Sequence, residues 1–228
     1  MMEGMRDPSP YRVCFVCTGN ICRSPMAESV FRFHAGEAGL DGRVEVDSAG
    51  TGPWHEGDGA DRRAIDVLTA HGYEQDHIAR QFRAEWFDHL DLVIALDSGH
   101  LHELRALAPT PHDAAKVRLL RSYDPDADQD ALGGLDVPDP YFGGTDDFEE
   151  CLEMIEAASG GLLDAVVAAL DAEGTAEQAA EKVTEEAARG TEGAESARST
   201  ESAQSAERMQ DAQDAPAADG PDAGKEPV

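Results

Sequence analysis

The chain has 228 residues, 47 acidic against 18 basic, for a formal net charge of −29. That length suits one domain with an appendage, and the charge argues against general nucleic-acid binding, which needs a basic face. No apolar run approaches the roughly 18 residues of a membrane span, and "MMEGMRDPSP" at the start holds neither an apolar signal region nor a small-residue cleavage site, so a cytoplasmic protein without membrane contact is expected.

Residues 1–10 read as a flexible N-terminus. "YRVCFV" from Tyr11 is rich in β-branched and aromatic residues and predicts a first strand. A helix is expected from about Ser24. Ser24 suits the N-cap, Pro25 the first helical position, and Met26, Val30, Phe31 and Phe33 the apolar side. It should end near Gly36 or Gly39. "VEVDSAG" reads as a second strand and "ADRRAIDVLTAHG" as a helix stopped by glycine. "LDLVIAL" is a continuous apolar run of the kind found in buried parallel strands. "SGHLHELRAL" predicts a helix capped at Ser98, and "KVRLL" a short fourth strand. Residues 145–170 predict a long closing helix capped by Thr145, with Phe148, Leu152 and Ile155 on one face and a weak point at Gly160 and Gly161.

This alternation predicts an α/β domain over residues 11–172, a four-stranded parallel sheet with helices on both faces. In such doubly wound sheets ligands sit at the carboxyl ends of the strands. From Glu173 to Val228 there is no aromatic residue. This stretch carries 14 acidic and 5 basic residues, net −9, leaving −20 for residues 1–172. It cannot bury enough apolar surface to offset chain entropy, so a disordered acidic tail is expected over 173–228, with nascent helix over 175–189.

Three of the four cysteines, Cys14, Cys17 and Cys22, crowd the end of the first strand. Zinc would need a further ligand pair that is missing nearby, and "HLHEL" is not a zinc helix. "DPDADQDALGGL" mimics a calcium loop, but has Gln129 where glycine is needed and Leu135 where glutamate is needed. No metal or other cofactor is expected.

Cys17 to Arg23 has the spacing C-x5-R, between a strand end and a helix start. Thr18, Gly19, Asn20, Ile21 and Cys22, curling back, would aim backbone amides inward and form an anion nest. Gly19 and Asn20 tolerate positive φ. Arg23 could close the nest with a bidentate fork on phosphate oxygens. A thiolate at its centre is stabilised by the same dipoles and becomes a nucleophile for phosphoryl transfer, with a phosphocysteine intermediate. The Ser24 hydroxyl could support that thiolate.

"VCFVCTGNICRSPMAE" resembles the signature loop of the low-molecular-weight protein tyrosine phosphatases, and the resemblance extends over roughly residues 11–171. It implies a three-layer, phosphatase-I-like doubly wound fold and hydrolysis of phosphotyrosine in proteins. It also implies phosphate and related oxyanions as inhibitors. "DVPDPYFG" resembles the family's acid loop and implies Asp139 as general acid and base, with Asp136 its nearest rival. Expulsion of a phenol of pKa about 10 needs such a proton donor. The resemblance implies that Trp54 and Tyr141 flank the substrate ring, with Phe142 beside them and His55 tuning peptide preference. It implies that Ser48 and His71 hold Asn20, and that Cys22 forms a reversible disulfide with Cys17 under peroxide. Cys14 and Cys151 are expected to be buried structural thiols, and the protein a monomer. Two activities of the same fold compete. Arsenate reductases relay oxidation through further cysteines, and none lies between Cys22 and Cys151. Protein arginine phosphatases resemble the loop with threonine where this chain has the apolar Ile21.

Overall fold

The structure, a computed structural model, describes residues 9–131, 133–176 and 180. The chain divides after Asp171 into two units. In the first, the elements run β1 (Tyr11–Cys17), α1 (Arg23–Glu37), β2 (Val44–Gly50), α2 (Arg62–Ala70), β3 (Leu92–Ala95), α3 (Ser98–Leu107), α4 (Pro111–Ala115) and β4 (Val117–Leu119). Helix α5 follows over 145–171. In the second unit, residues 172–176 and 180 are helical. Alanine and glutamate favour helix in this stretch. The rest of the expected acidic tail and residues 1–8 of the expected N-terminus lie outside the described residues.

The four strands form one parallel sheet in the order β2-β1-β3-β4. The central pairing sets Cys17 opposite Gly50 and Val16 opposite Ala95, so three strand ends converge on one edge. Strand β1 alternates as a two-residue period demands. Val13, Phe15 and Cys17 face the larger core, with α1, α2 and α5, while Cys14 and Val16 face the smaller one with Phe82, Phe87 and Leu104. Cys14 is thus turned to the opposite side of the sheet from Cys17. Burial pushes the Cys14 thiol far up, and Cys151, in the larger core, up to about 12.

Several helix ends depart from the sequence reading. α1 begins at Arg23, and its N-cap position is Cys22 rather than Ser24, whose buried hydroxyl turns inward to the strand ends. Asp97, not Ser98, caps α3, accepting from the His100 amide at 2.8 Å. α5 begins at 145 with Asp147, not Thr145, accepting from the Gly144 amide at 2.7 Å. Phe33 is 47% exposed, off the core face of α1 and packed edge-on against Tyr73. The expected weak point in α5 is unbroken helix. A Cβ at position 161 would fall on the Tyr123 carbonyl, so Gly161 marks a close approach of backbone.

Candidate active site

The cradle between β1 and α1 is pinned from below. Asn20 has φ 56°, the only positive φ of a non-glycine residue among the described ones. Its side chain holds that left-handed turn. Nδ2 donates to Ser24 Oγ and to Ser48 Oγ, both at 2.9 Å, and Oδ1 accepts from the Arg80 amide at 2.9 Å. Ser48 donates onward to Glu28 at 2.6 Å. Glu28 is buried beside His77 and paired with Arg32. Burial works against its charge, but His77, Ser48 and Arg32 outweigh it and hold its carboxyl below the usual range.

Ser48 thus lies where the sequence reading expects it, and His71 does not. His71 caps the C-terminus of α2 and pairs with Glu149 at 2.8 Å, on the surface. His77 reaches the cradle instead, its Nε2 donating to the Asn20 carbonyl at 2.7 Å. Gly72, at φ +85°, turns the chain away from α2 just after His71, and only the following loop returns to the cradle. Nothing in the irregular stretch "EQDHIAR" marks His77 as a buried partner.

At the base of the cradle, Ser24 Oγ lies 3.0 Å from Cys17 Sγ, and the Asn20 amide donates to that sulfur at 3.3 Å. The Ser24 hydroxyl also lies 3.2 Å from the Ala49 carbonyl, to which it can donate. Arg23 is buried, and its guanidinium is held on several sides. Nη1 donates to Asp97 at 2.7 Å and to the Val137 carbonyl at 3.1 Å; Nη2 donates to Asp139 at 2.9 Å. Burial opposes the charge on Arg23, but Cys17, Asp139 and Asp97 raise its pKa overall. Burial likewise opposes charge on Asp97, and hydrogen bonds from His100 and Arg23 drive its carboxyl far below the usual range. His100 also sits 2.9 Å from Thr18 Oγ1. Neither Asp97 nor His100 was marked by any motif. Their signal is position alone, since they follow β3 at the ligand-binding edge of the sheet.

Asp139 precedes a single 3-10 turn, Pro140–Phe142, and its Oδ1 accepts from the Tyr141 amide at 3.2 Å. Its rival Asp136 is engaged elsewhere, accepting from the amide and hydroxyl of Ser98. Above the cradle opens a cavity of about 220 Å³, lined by Cys17, Ile21, Cys22, Arg23, Asp139 and the aromatic rim of Trp54, His55, Tyr141 and Phe142. Trp54 lies over Gly52, where a Cβ would strike its ring, and is 71% exposed. Phe142 is 93% exposed. Cys22 is buried in the wall. Burial pushes its thiol up, and Asp61, Cys17 and Asp139 push it further.

The family model of low molecular weight phosphotyrosine protein phosphatase matches residues 12–176. The chain belongs to that family. A low molecular weight protein-tyrosine-phosphatase of Streptomyces coelicolor is 70% identical over 156 residues, covering 68% of this chain and 93% of the relative. Among solved structures, YfkJ from Bacillus subtilis is 38% identical with a TM-score of 0.63, over 70% of this chain and 96% of its own. The Drosophila arginine phosphatase is 32% identical with a TM-score of 0.61, over 68% of this chain and 96% of its own. The four-stranded parallel sheet is therefore the low molecular weight phosphatase fold. Among the described residues, no helix is long and apolar enough to cross a membrane, and no group of three or more His, Cys, Asp or Glu side chains is arranged to hold a metal ion.

Proposed function

We propose that this low molecular weight phosphatase hydrolyses phosphotyrosine in proteins, with Cys17 as nucleophile and Asp139 as general acid and base. One observation carries the assignment: Cys17, Arg23 and Asp139 meet in a single cavity, with the sulfur at its base and an aromatic rim above. Cys17 Sγ attacks phosphorus, an S–P bond forms, and the bond to the tyrosyl oxygen breaks. Asp139 delivers its proton to that oxygen, then takes one from the water that attacks the phosphocysteine. Arg23 and the amides of the cradle and of the first turn of α1 hold the phosphoryl oxygens. Ser24 supports the sulfur as it attacks and again as it departs.

Arg23 Nη2 donates to Asp139, and a phosphoryl oxygen needs that same donor. Substrate binding therefore releases the Asp139 carboxyl toward the leaving oxygen. Trp54 and Tyr141 flank the phenyl ring, with Phe142 beside them, because flat apolar faces suit an aromatic ligand. Ile21 on the cavity wall favours an aryl phosphate over a guanidinium phosphate, the group an arginine phosphatase takes. Ser48 and His77 hold the cradle through Asn20. Cys22 is the resolving thiol. After peroxide converts Cys17 to a sulfenic acid, the Cys22 sulfur attacks it, and water leaves as the disulfide forms.

The test is turnover of phosphotyrosine, phosphoarginine and arsenate by one purified sample. Phosphotyrosine should be strongly preferred, and Cys17→Ser should lose activity by on the order of 10⁴-fold or more. Asp139→Asn should slow aryl esters with poor leaving groups most. Full activity of Cys17→Ser, or an equal loss for all leaving groups in Asp139→Asn, would count against these roles.

A further inference from the structure

The carboxyl of Asp139 can serve the leaving oxygen only if its loop is held at a fixed height above Cys17. On the N-terminal side that loop is well anchored. The Val137 amide donates to the Leu96 carbonyl at 2.8 Å, and the Val137 carbonyl accepts from Arg23. On the C-terminal side the chain makes only one 3-10 turn before α5, so its carbonyls need an outside partner.

That partner is Arg63, in the first turn of α2. Its Nη1 donates to the Gly143 carbonyl at 2.9 Å and its Nη2 to the Tyr141 carbonyl at 3.0 Å. The other edge of the guanidinium is fixed by Asp61, with Nε at 3.0 Å from Oδ1 and Nη2 at 2.8 Å from Oδ2. Its flat face lies 4.6 Å above the Phe148 ring and 5.9 Å from the Tyr141 ring. Asp61 in turn grips the cradle, since its amide donates to the Ile21 carbonyl at 2.7 Å. A continuous set of contacts thus joins Ile21, Asp61, Arg63 and the carbonyls of Tyr141 and Gly143. It closes next to Asp139, whose Oδ1 accepts from the Tyr141 amide. Only a planar fork can serve a carboxylate on one edge and two carbonyls on the other.

We propose that Arg63 is a positioning residue for the general acid, clamping the acid loop to the phosphate cradle so that Asp139 stays aligned with the leaving oxygen. This rests on the assignment of Asp139 above. A clamp of this kind acts on proton delivery and leaves phosphate capture alone, because Arg63 is absent from the cavity lining while the cradle has its own supports. Its side chain is 34% exposed and stacks on Phe148 from the edge of the core, and methionine keeps an apolar stem against that ring.

The experiment compares two esters with the full chain: para-nitrophenyl phosphate, with a leaving phenol of pKa about 7, and phenyl phosphate, with one of pKa about 10. Wild type, Asp139→Asn, Arg63→Met, Arg63→Lys and the double variant Asp139→Asn/Arg63→Met are measured, together with inhibition by inorganic phosphate. Arg63→Met should lose about 10-fold in kcat/KM on phenyl phosphate and under about 3-fold on the nitrophenyl ester. Its phosphate inhibition constant should stay within about 2-fold, and it should add little to Asp139→Asn. Arg63→Lys keeps the charge but not the fork, so it should show the same selective loss, and it decides the matter if Arg63→Met does not fold. Equal losses on both esters, losses that add fully to those of Asp139→Asn, or wild-type rates in Arg63→Lys would overturn the clamp. If Asp139→Asn itself loses equally on both esters, the acid assignment fails instead, which separates the two conclusions.

Discussion

Gly50 is the position where a single methyl group should disable the site without touching a catalytic side chain. It ends β2 directly opposite Cys17. It is fixed in the ladder on both counts: its amide donates to the Arg80 carbonyl at 2.9 Å and its carbonyl accepts from the Phe82 amide at 2.8 Å. A Cβ there would stand 2.8 Å from the Thr18 carbonyl oxygen and 3.2 Å from the Asn20 nitrogen and the Gly19 carbonyl carbon. Carbon–oxygen contacts settle near 3.3 Å or more, so in Gly50→Ala the cradle must retreat by about half an ångström. The obstacles are backbone atoms with no rotamer to change. The displaced Asn20 amide is the one that donates to the Cys17 sulfur at 3.3 Å. We expect about 1–3 kcal/mol of destabilisation from overpacking, and a fall in kcat/KM of roughly 10²-fold from misaligned donors. The assays are hydrolysis of an aryl phosphate, inhibition by inorganic phosphate and a thermal melt. A Gly50→Ala protein that keeps wild-type kcat/KM and phosphate inhibition would refute the steric reasoning.

Ser24→Ala removes the hydroxyl beside the Cys17 sulfur, and kcat should fall by about 10²-fold, with a burst of phenol as phosphocysteine accumulates; an unchanged kcat would remove Ser24 from the chemistry. Gly161→Ala should cost about 1–3 kcal/mol in denaturant unfolding, because its Cβ meets the Tyr123 carbonyl, with kcat nearly unaffected. Glu28 and Asp97 have carboxyls held below their ordinary pKa in the folded state. Their contribution to stability is fully present above about pH 4.3 and is lost as pH falls toward the lowered folded values. Glu28→Gln should therefore lose less stability than wild type between about pH 6 and pH 3.5, and parallel losses on acid titration would argue against this network.

The order of strands and helices was legible because apolar periodicity and glycine stops report local structure directly. The short runs at β1, β2 and β3 are bounded by clear breakers. The cradle was legible because all its residues are neighbours in sequence, so spacing and geometry are the same information. Helix starts were less so. Ser24 and Ser98 have the side chains of N-caps, yet Ser24 is drawn inward to Cys17 and Ser98 yields to Asp97. Gly160 and Gly161 look like a break by propensity, whereas Gly161 is required by a neighbour 38 positions away.

From the sequence alone came the α/β order and the residues proposed as nucleophile, arginine and acid, since each rests on a short contiguous stretch whose chemistry does not depend on distant partners. Only the tertiary structure decided which groups support them. Two histidines six positions apart, His71 and His77, are equivalent on paper, and the turn after Gly72 sends one to the surface and the other to Asn20. Asp97, His100 and Arg63 gain their parts because parallel strands end together, bringing loops far apart in sequence to one edge of the sheet.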